Sequence, residues 1–445
     1  DAGNATAHLR LGSLADRRQD TEAALAALRE AQRGYERAAN KEGIAETWLR
    51  RGAVYAGVSR NSEARASLET AERFASGNGL GPYEVRAHLA LSAVAAAMGE
   101  MAEAEKRAAV ALDLARERNQ ESQVVSAMND LAFAYLTQQR LKESARLAEH
   151  ALELATRFRQ PRSAARARLL LMNTLYYRGG EERLRQARAH GGEALKFYRE
   201  AGYRRQQMET LMMLGRVETV TEDFAAAESR FAQAVEAARA TGDGQSIGLA
   251  EQGLAAAAEG QGKLDEALKH FERAESAYRG AGPSGHLAYA LAAKAELLFE
   301  LGRPGGEAMQ EARDLAAGNP RLSAMLSLVG AQREAARRNW NEASRQLRIA
   351  REAKDESSGR RARLDALEAW IEHRGDRGRA AALCGRVLKA VESGLALDDR
   401  AAATFACAEA VRMPALHRAL RDLAASPNQA VARKARVYLS RGDTQ

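Results

Sequence analysis

Residues 47–71 read TWLRRGAVYAGVSRNSEARASLETA, two apolar patterns of helix length in which Gly52 and Ala64 stand where most helices carry something larger. Residues 8–31, HLRLGSLADRRQDTEAALAALREA, place Gly12, Ala24, Leu28 and Ala31 forty positions before Gly52, Ala64, Leu68 and Ala71. The stretch is therefore one copy of a repeat. The same step leads from Gly52 to Ser92, Ala132 and Met172; after an insertion of about three residues around Glu181 to Arg183 it resumes at Gly215 and Ala255. A fixed period of this length means stacked supersecondary units, each burying its apolar face against its neighbours.

Composition agrees with helices packed closely on helices. Hydrophobic residues make up 46% of the 445, aromatics only 5%, and Ala and Leu dominate the apolar set. The seven prolines fall almost entirely at segment boundaries, so long stretches are free of helix breakers. Gly202, Gly242 and Gly282 recur at the ends of second helices, where a left-handed cap suits glycine. Gly99, Gly179, Gly262, Gly302 and Gly375 mark the shorter break inside a unit, and Pro82, Pro161, Pro283 and Pro320 precede first helices. Each unit reads as a helical hairpin, and almost no strand is expected.

Charge excludes little and suggests little. The net charge of +8 arises from 67 basic and 59 acidic residues that are interleaved, which describes a mixed solvated surface with at most a mild attraction for acidic partners. Cys384 and Cys407 cannot form a disulfide framework for a chain of this size; they read first as two small buried residues, with a redox pair or half a metal site as the lesser alternative. No apolar run approaches the ~18 residues of a membrane span, so membrane association is not expected. The sequence enters a repeat at once and lacks an initiator Met, which suggests a piece of something longer; a cytoplasmic location is the expectation.

The units resemble tetratricopeptide repeats. Unit two supplies Trp48, Gly52, Tyr55, Ala64, Leu68 and Ala71, with Arg51 where Leu is usual; unit six supplies Leu211, Leu214, Gly215, Ala227, Phe231 and Ala234; unit seven supplies Leu254, Ala255, Ala267, Phe271 and Ala274. The 40-residue period resembles the longer variety found in Pins-like adaptors, kinesin light chains and MalT-like sensor arms. The likeness is good over residues 5–352, and a regular part, residues 1–318, is distinguished from degenerate and capping helices over 319–445. It implies an all-α, right-handed α-solenoid, or superhelix, of about eleven hairpins. Close approach of the two helices of a unit is assigned to Gly52 and Ala64, and the space between units to Leu68 and Trp48.

The same resemblance implies a concave face lined by first helices. Its positions carry over to Arg10, Arg50, Arg86, Asn129, Arg166, Asn173, Tyr176 and Arg216 as candidate partner-binding residues, with Glu46, Asp130, Phe133, Met212, Met213 and Tyr289 beside them. Arginine forks take carboxylates bidentately, so a protein or peptide partner, with an acidic one well suited, follows; arginines on a merely solvated face are the plainer alternative. The Lys and Asn partners of the family's two-carboxylate clamp are missing.

Chemistry-bearing motifs fail on inspection. In EGQGKLDEA, Leu264 follows Gly-Lys where a phosphate loop needs Ser or Thr, and the Gly-rich TGDGQSIG lacks a preceding strand. The eight His are scattered without metal spacing, and no nucleophile, base and acid grouping is visible. No catalytic residue, metal or cofactor is assigned. The expected function is a non-catalytic interaction scaffold. A sensor or regulatory arm of a larger bacterial signalling protein, joined to an effector domain, is the second reading. A nucleic-acid-binding solenoid is the third, suggested by Arg345, Arg348, Arg351, Arg360, Arg361 and Arg363 but weakened by Glu342, Glu352 and few stacking aromatics.

Overall fold

The computed structural model describes residues 2–18, 20–282, 285–352, 358–393, 395 and 397–442. Among them are 23 helices and no strand, and their contacts divide the chain into two compact units, Asp1–Ala201 and Gly202–Gln445. This division differs from the sequence boundary at 318/319, which concerns repeat regularity and falls inside the second unit.

The first unit holds five hairpins: α1 (Ala2–Arg17) with α2 (Thr21–Arg37), α3 (Lys41–Gly57) with α4 (Asn61–Gly77), α5 (Gly81–Ala97) with α6 (Met101–Glu117), α7 (Glu121–Thr137) with α8 (Leu141–Arg157), and α9 (Pro161–Arg178) with α10 (Glu181–Glu200). From α3 to α9, each first helix begins forty residues after the one before. The insertion near Glu181 lengthens α10 to 20 residues, where α2, α4, α6 and α8 have 17, so it is absorbed as extra helix and not as loop.

Small residues set the helix spacing, as the repeat implies. Ala24, Ala64, Ala31, Ala71, Ala111 and Ala151 are all fully buried. A Cβ added at Gly52 would lie 2.5 Å from Leu68 Cγ, one at Gly12 2.9 Å from Leu28 Cγ, and one at Gly215 2.7 Å from Phe231 Cζ. Leu68 thus fills the seam of its own hairpin as well as reaching Ala87 and Leu91 of the next. Where the repeat puts serine at a small position, the hydroxyl bridges the seam: Ser92 Oγ donates to Ala104 O at 2.8 Å, and Ser144 Oγ to Ala132 O at 2.9 Å.

Turns recur with the same regularity. Gly202, Gly242 and Gly282 have φ of 72°, 69° and 99°, the left-handed region that lacks a Cβ penalty only for glycine. Other copies of the turn hold ordinary residues in that region, including Ala39 at φ 50° and Arg159 at φ 52°. A left-handed conformation costs an L-residue about 1–2 kcal/mol, so Ala39→Gly, at an exposed position, is expected to stabilise the first unit by about 1 kcal/mol, read as a higher urea midpoint. Asp20, Asn40, Asp223 and Asp243 cap the following helices through their side chains. Pro82, Pro161 and Pro320 occupy first-turn positions as expected, while Pro283 lies outside the described residues.

The second unit continues with α11 (Arg204–Val220) and α12 (Phe224–Arg239), α13 (Gly244–Gly260) and α14 (Leu264–Ala281), α15 (Gly285–Glu300) and α16 (Gly306–Leu315), α17 (Pro320–Ala336) and α18 (Trp340–Glu352), α19 (Ser358–Glu372) and α20 (Arg377–Glu392), and α21 (Leu397–Ala410) and α22 (Pro414–Ala424); α23 (Gln429–Gly442) follows. Cys384 on α20 and Cys407 on α21 are fully buried, as expected, but they are joined in a disulfide, with Cα atoms 5.7 Å apart. This corrects their reading as two separate small apolar residues: the two helices pack into one core and bring the thiols together.

The C-terminal helices also turn back on the start of this unit. Helix α23 contacts α13, and Ser426 Oγ donates to the Glu222 carboxylate at 2.7 Å across 204 residues of sequence.

Candidate functional site

Within the first unit, successive first helices touch one another, α3 with α5, α5 with α7 and α7 with α9, so the residues between them face a common surface. The arginines expected there are tied to the protein's own carboxylates. Glu46 accepts from Arg50 at 2.7 Å on its own helix and from Arg86 at 2.6 Å on the next first helix. Burial works to raise the Glu46 carboxyl, but the hydrogen bonds from Arg86 and Arg50 outweigh it and hold its pKa below the usual value. Arg166 pairs with Asp130 across α7 and α9, where burial pushes the Asp130 carboxyl up against the pull of that arginine.

The remaining candidates divide. Arg10 forms no ion pair among the described residues and shares a shallow depression of about 400 Å³ with Leu9, Ser13, Leu14 and Arg50. Asn173 donates to Leu169 O at 2.8 Å, and Tyr176 meets the ring of Tyr177 edge-on at 5.2 Å; both are half-buried. Phe133 and Tyr289 are exposed. Asn129 is a correction: it is 1% exposed, and its amide donates to Ser163 O at 3.2 Å, stitching α7 to α9 instead of facing a partner. Met212 and Met213 are likewise buried. Arg216 lies in the second unit, half-buried, with its guanidinium 3.9 Å from Met213 Sδ.

A larger concavity lies away from those residues. A cavity of about 1370 Å³ in the second unit is lined by α13, α15, α17, α19, α21 and α23, with Trp340 from the start of α18. It gathers Phe299, Trp340, Trp370, Phe405 and Tyr438, including two of the chain's three tryptophans in a sequence poor in aromatics. Cations lie over these rings: Arg333 is 3.7 Å from the Phe299 centroid, Lys434 5.1 Å from Phe405, and Arg374 5.8 Å from Trp340. Tyr438 stacks on Phe405 at 5.3 Å and donates to Glu409 at 2.8 Å.

Electrostatically the walls differ. Arg333, Arg338, Arg374, Arg433 and Lys434 line the cavity from α17 to α19 and from α23, and none forms an ion pair among the described residues. Burial, aided by Arg337, lowers the pKa of Arg333, whose Nε is shielded and donates to no acceptor. Glu259, Glu296 and Glu300 come from α13 and α15, and Glu409 from α21. The described residues include no group of three or more His, Cys, Asp or Glu that could hold a metal ion, and no helix among them is long and apolar enough to cross a membrane. One sequence signal pointed here: Trp340 and Trp370 stand out against the aromatic-poor background.

The tetratricopeptide repeat profile matches residues 206–280. No curated protein matches the chain in sequence. Solved structures do match in fold. Apo RapI aligns with a TM-score of 0.58 at 14% identity, over 78% of this chain and 96% of its own. A Rap protein complexed with competence and sporulation factor aligns at 0.54 and 16%, over 79% and 97%, and the apo quorum sensor NprR from B. thuringiensis at 0.51 and 17%, over 70% and 87%. Likeness at such identity concerns architecture alone. Residues 206–280 carry tetratricopeptide repeat sequence, and each unit of the chain is built from tetratricopeptide-like helical hairpins.

Proposed function

We propose that this solenoid is a non-catalytic recognition module for a peptide or protein partner, with the cavity of the second unit as its principal site. The carrying observation is the concentration of aromatic rings and of cations that form no ion pair among the described residues on the cavity walls from α15 to α23, groups suited to hold a ligand and not to attack one. Two fold neighbours give this support by analogy, since one was solved with competence and sporulation factor and another, NprR, with its cognate peptide NprX.

The first-helix surface carrying Arg10, Arg50, Arg86, Arg166, Asn173 and Tyr176 is proposed as a second, weaker contact region. An acidic partner there competes with Glu46 and Asp130, which already hold three of those guanidinium groups. The cavity faces no such competition on its basic wall.

Selection from a displayed random heptapeptide library tests the proposal. Binders are expected to be enriched on the wild-type chain and lost on a Trp340→Ala/Trp370→Ala variant that keeps its helical circular dichroism. Absence of enrichment, or binders indifferent to the double substitution, overturns it. A regulatory role, as the sensor arm of a larger protein, is favoured by one observation: the cavity is completed by α23, which is held through Ser426 and Glu222 and so gives an occupant something to stabilise.

A further inference from the structure

The basic and acidic walls of the cavity come from different helices, and this asymmetry constrains its ligand. Arg50, Arg86 and Arg166 on the first-helix surface are each bonded to a carboxylate, whereas the five cations here form no ion pair among the described residues. Arg333 is the most informative of them. Its guanidinium is half-buried on the face of Phe299, and no protein carboxylate satisfies it. An anionic ligand group fits there.

A polyanion does not fit the whole cavity, because Glu259, Glu296, Glu300 and Glu409 line it too. Phosphate chains would meet four carboxylates of like charge. A zwitterion satisfies both walls, and the aromatic rings between them require apolar or planar surface in its body. The volume of about 1370 Å³ exceeds the ~300–1,000 Å³ typical of small-molecule pockets.

Building on the peptide-recognition reading above, we infer that the second unit binds a short peptide with both termini free. Its C-terminal carboxylate sits against Arg333 and Arg374, an aromatic side chain packs on Trp340 and Trp370, and its α-ammonium faces Glu300.

The test uses the full chain and tryptophan fluorescence titration with three pools of pentapeptides ending in Phe or Tyr: free termini, C-terminally amidated, and N-acetylated. ATP serves as an anionic, planar comparison. The free pool is expected to bind, and amidation to weaken it at least tenfold. Arg333→Gln should weaken the free pool similarly and erase the difference between acid and amide. Arg374→Gln, at an exposed position, gives an independent reading should Arg333→Gln fail to fold; Arg146→Gln, at an exposed position on α8 of the other unit and outside both proposed contact regions, should change nothing. N-acetylation should cost affinity, and Glu300→Gln should erase that cost.

Equal binding of acid and amide pools overturns this inference while leaving peptide recognition standing. Failure of every pool together with failure of the library selection removes both. Tighter binding of ATP than of any peptide, lost in Arg333→Gln, replaces the zwitterion with a nucleotide.

Discussion

Gly52→Leu is expected to lower the stability of the first unit by about 3 kcal/mol, the upper end of the range for forcing bulk into a packed seam. The first added carbon already lies 2.5 Å from Leu68 Cγ and Cδ2, well inside contact distance, and Leu68 is 1% exposed with little room to withdraw. Leu68→Ala should cost a comparable amount, about 2–5 kcal/mol, by opening a void at the same place. The decisive measurement is the double variant. If the two side chains occupy one volume, Gly52→Leu/Leu68→Ala should recover at least about 1 kcal/mol relative to the sum of the single changes. Strict additivity in urea melts would mean that the seam is not shared. Hydrogen exchange should localise the loss to α2 through α5, because each hairpin of a solenoid is stabilised mainly by itself and its neighbours.

That seam also shows why the fold was legible. Its determinants are local and periodic: a residue without a side chain faces a large one sixteen positions later, as in Gly12 with Leu28, Gly52 with Leu68 and Gly215 with Phe231. Ser92 and Ser144 keep the close approach by bonding across it to backbone carbonyls. The cavity was not legible for the opposite reason. Its rings and cations come from four hairpins and α23, and whether an arginine is paired depends on carboxylates that lie far from it in sequence. Arg86 and Arg333 look alike in the sequence; one is bonded to Glu46 from the preceding first helix, and the other stacks on Phe299 without a carboxylate. Position within the repeat could place Asn129 on a first helix but could not tell that its amide reaches Ser163 O. Nor could a separation of 23 residues tell that Cys384 and Cys407 share a core.

Ser426→Ala is expected to release α23 from the second unit while the first unit melts unchanged. Ser426 is a junction: its hydroxyl donates to the Glu222 carboxylate at 2.7 Å and accepts from Asn428 N–H at 3.1 Å, and the Asn428 side chain caps α23 through Val431 N–H. Hydrogen bonds to charged groups contribute about 1.5–3 kcal/mol, which corresponds to a roughly tenfold to hundredfold rise in exchange of the α23 amides. Since α23 supplies Arg433, Lys434, Val437 and Tyr438 to the cavity wall, peptide affinity should fall with it. Glu222→Gly separates this latch from ordinary stability. Glu222 holds a left-handed φ of 61°, so glycine should relieve strain in the α11–α12 turn by about 1 kcal/mol. The same change removes the acceptor of Ser426 and the partner of Arg400, which lies 3.8 Å away. The α11–α12 hairpin should therefore become more protected and α23 less so in one variant. Parallel changes in both would show that α23 is held by general packing and not by this carboxylate.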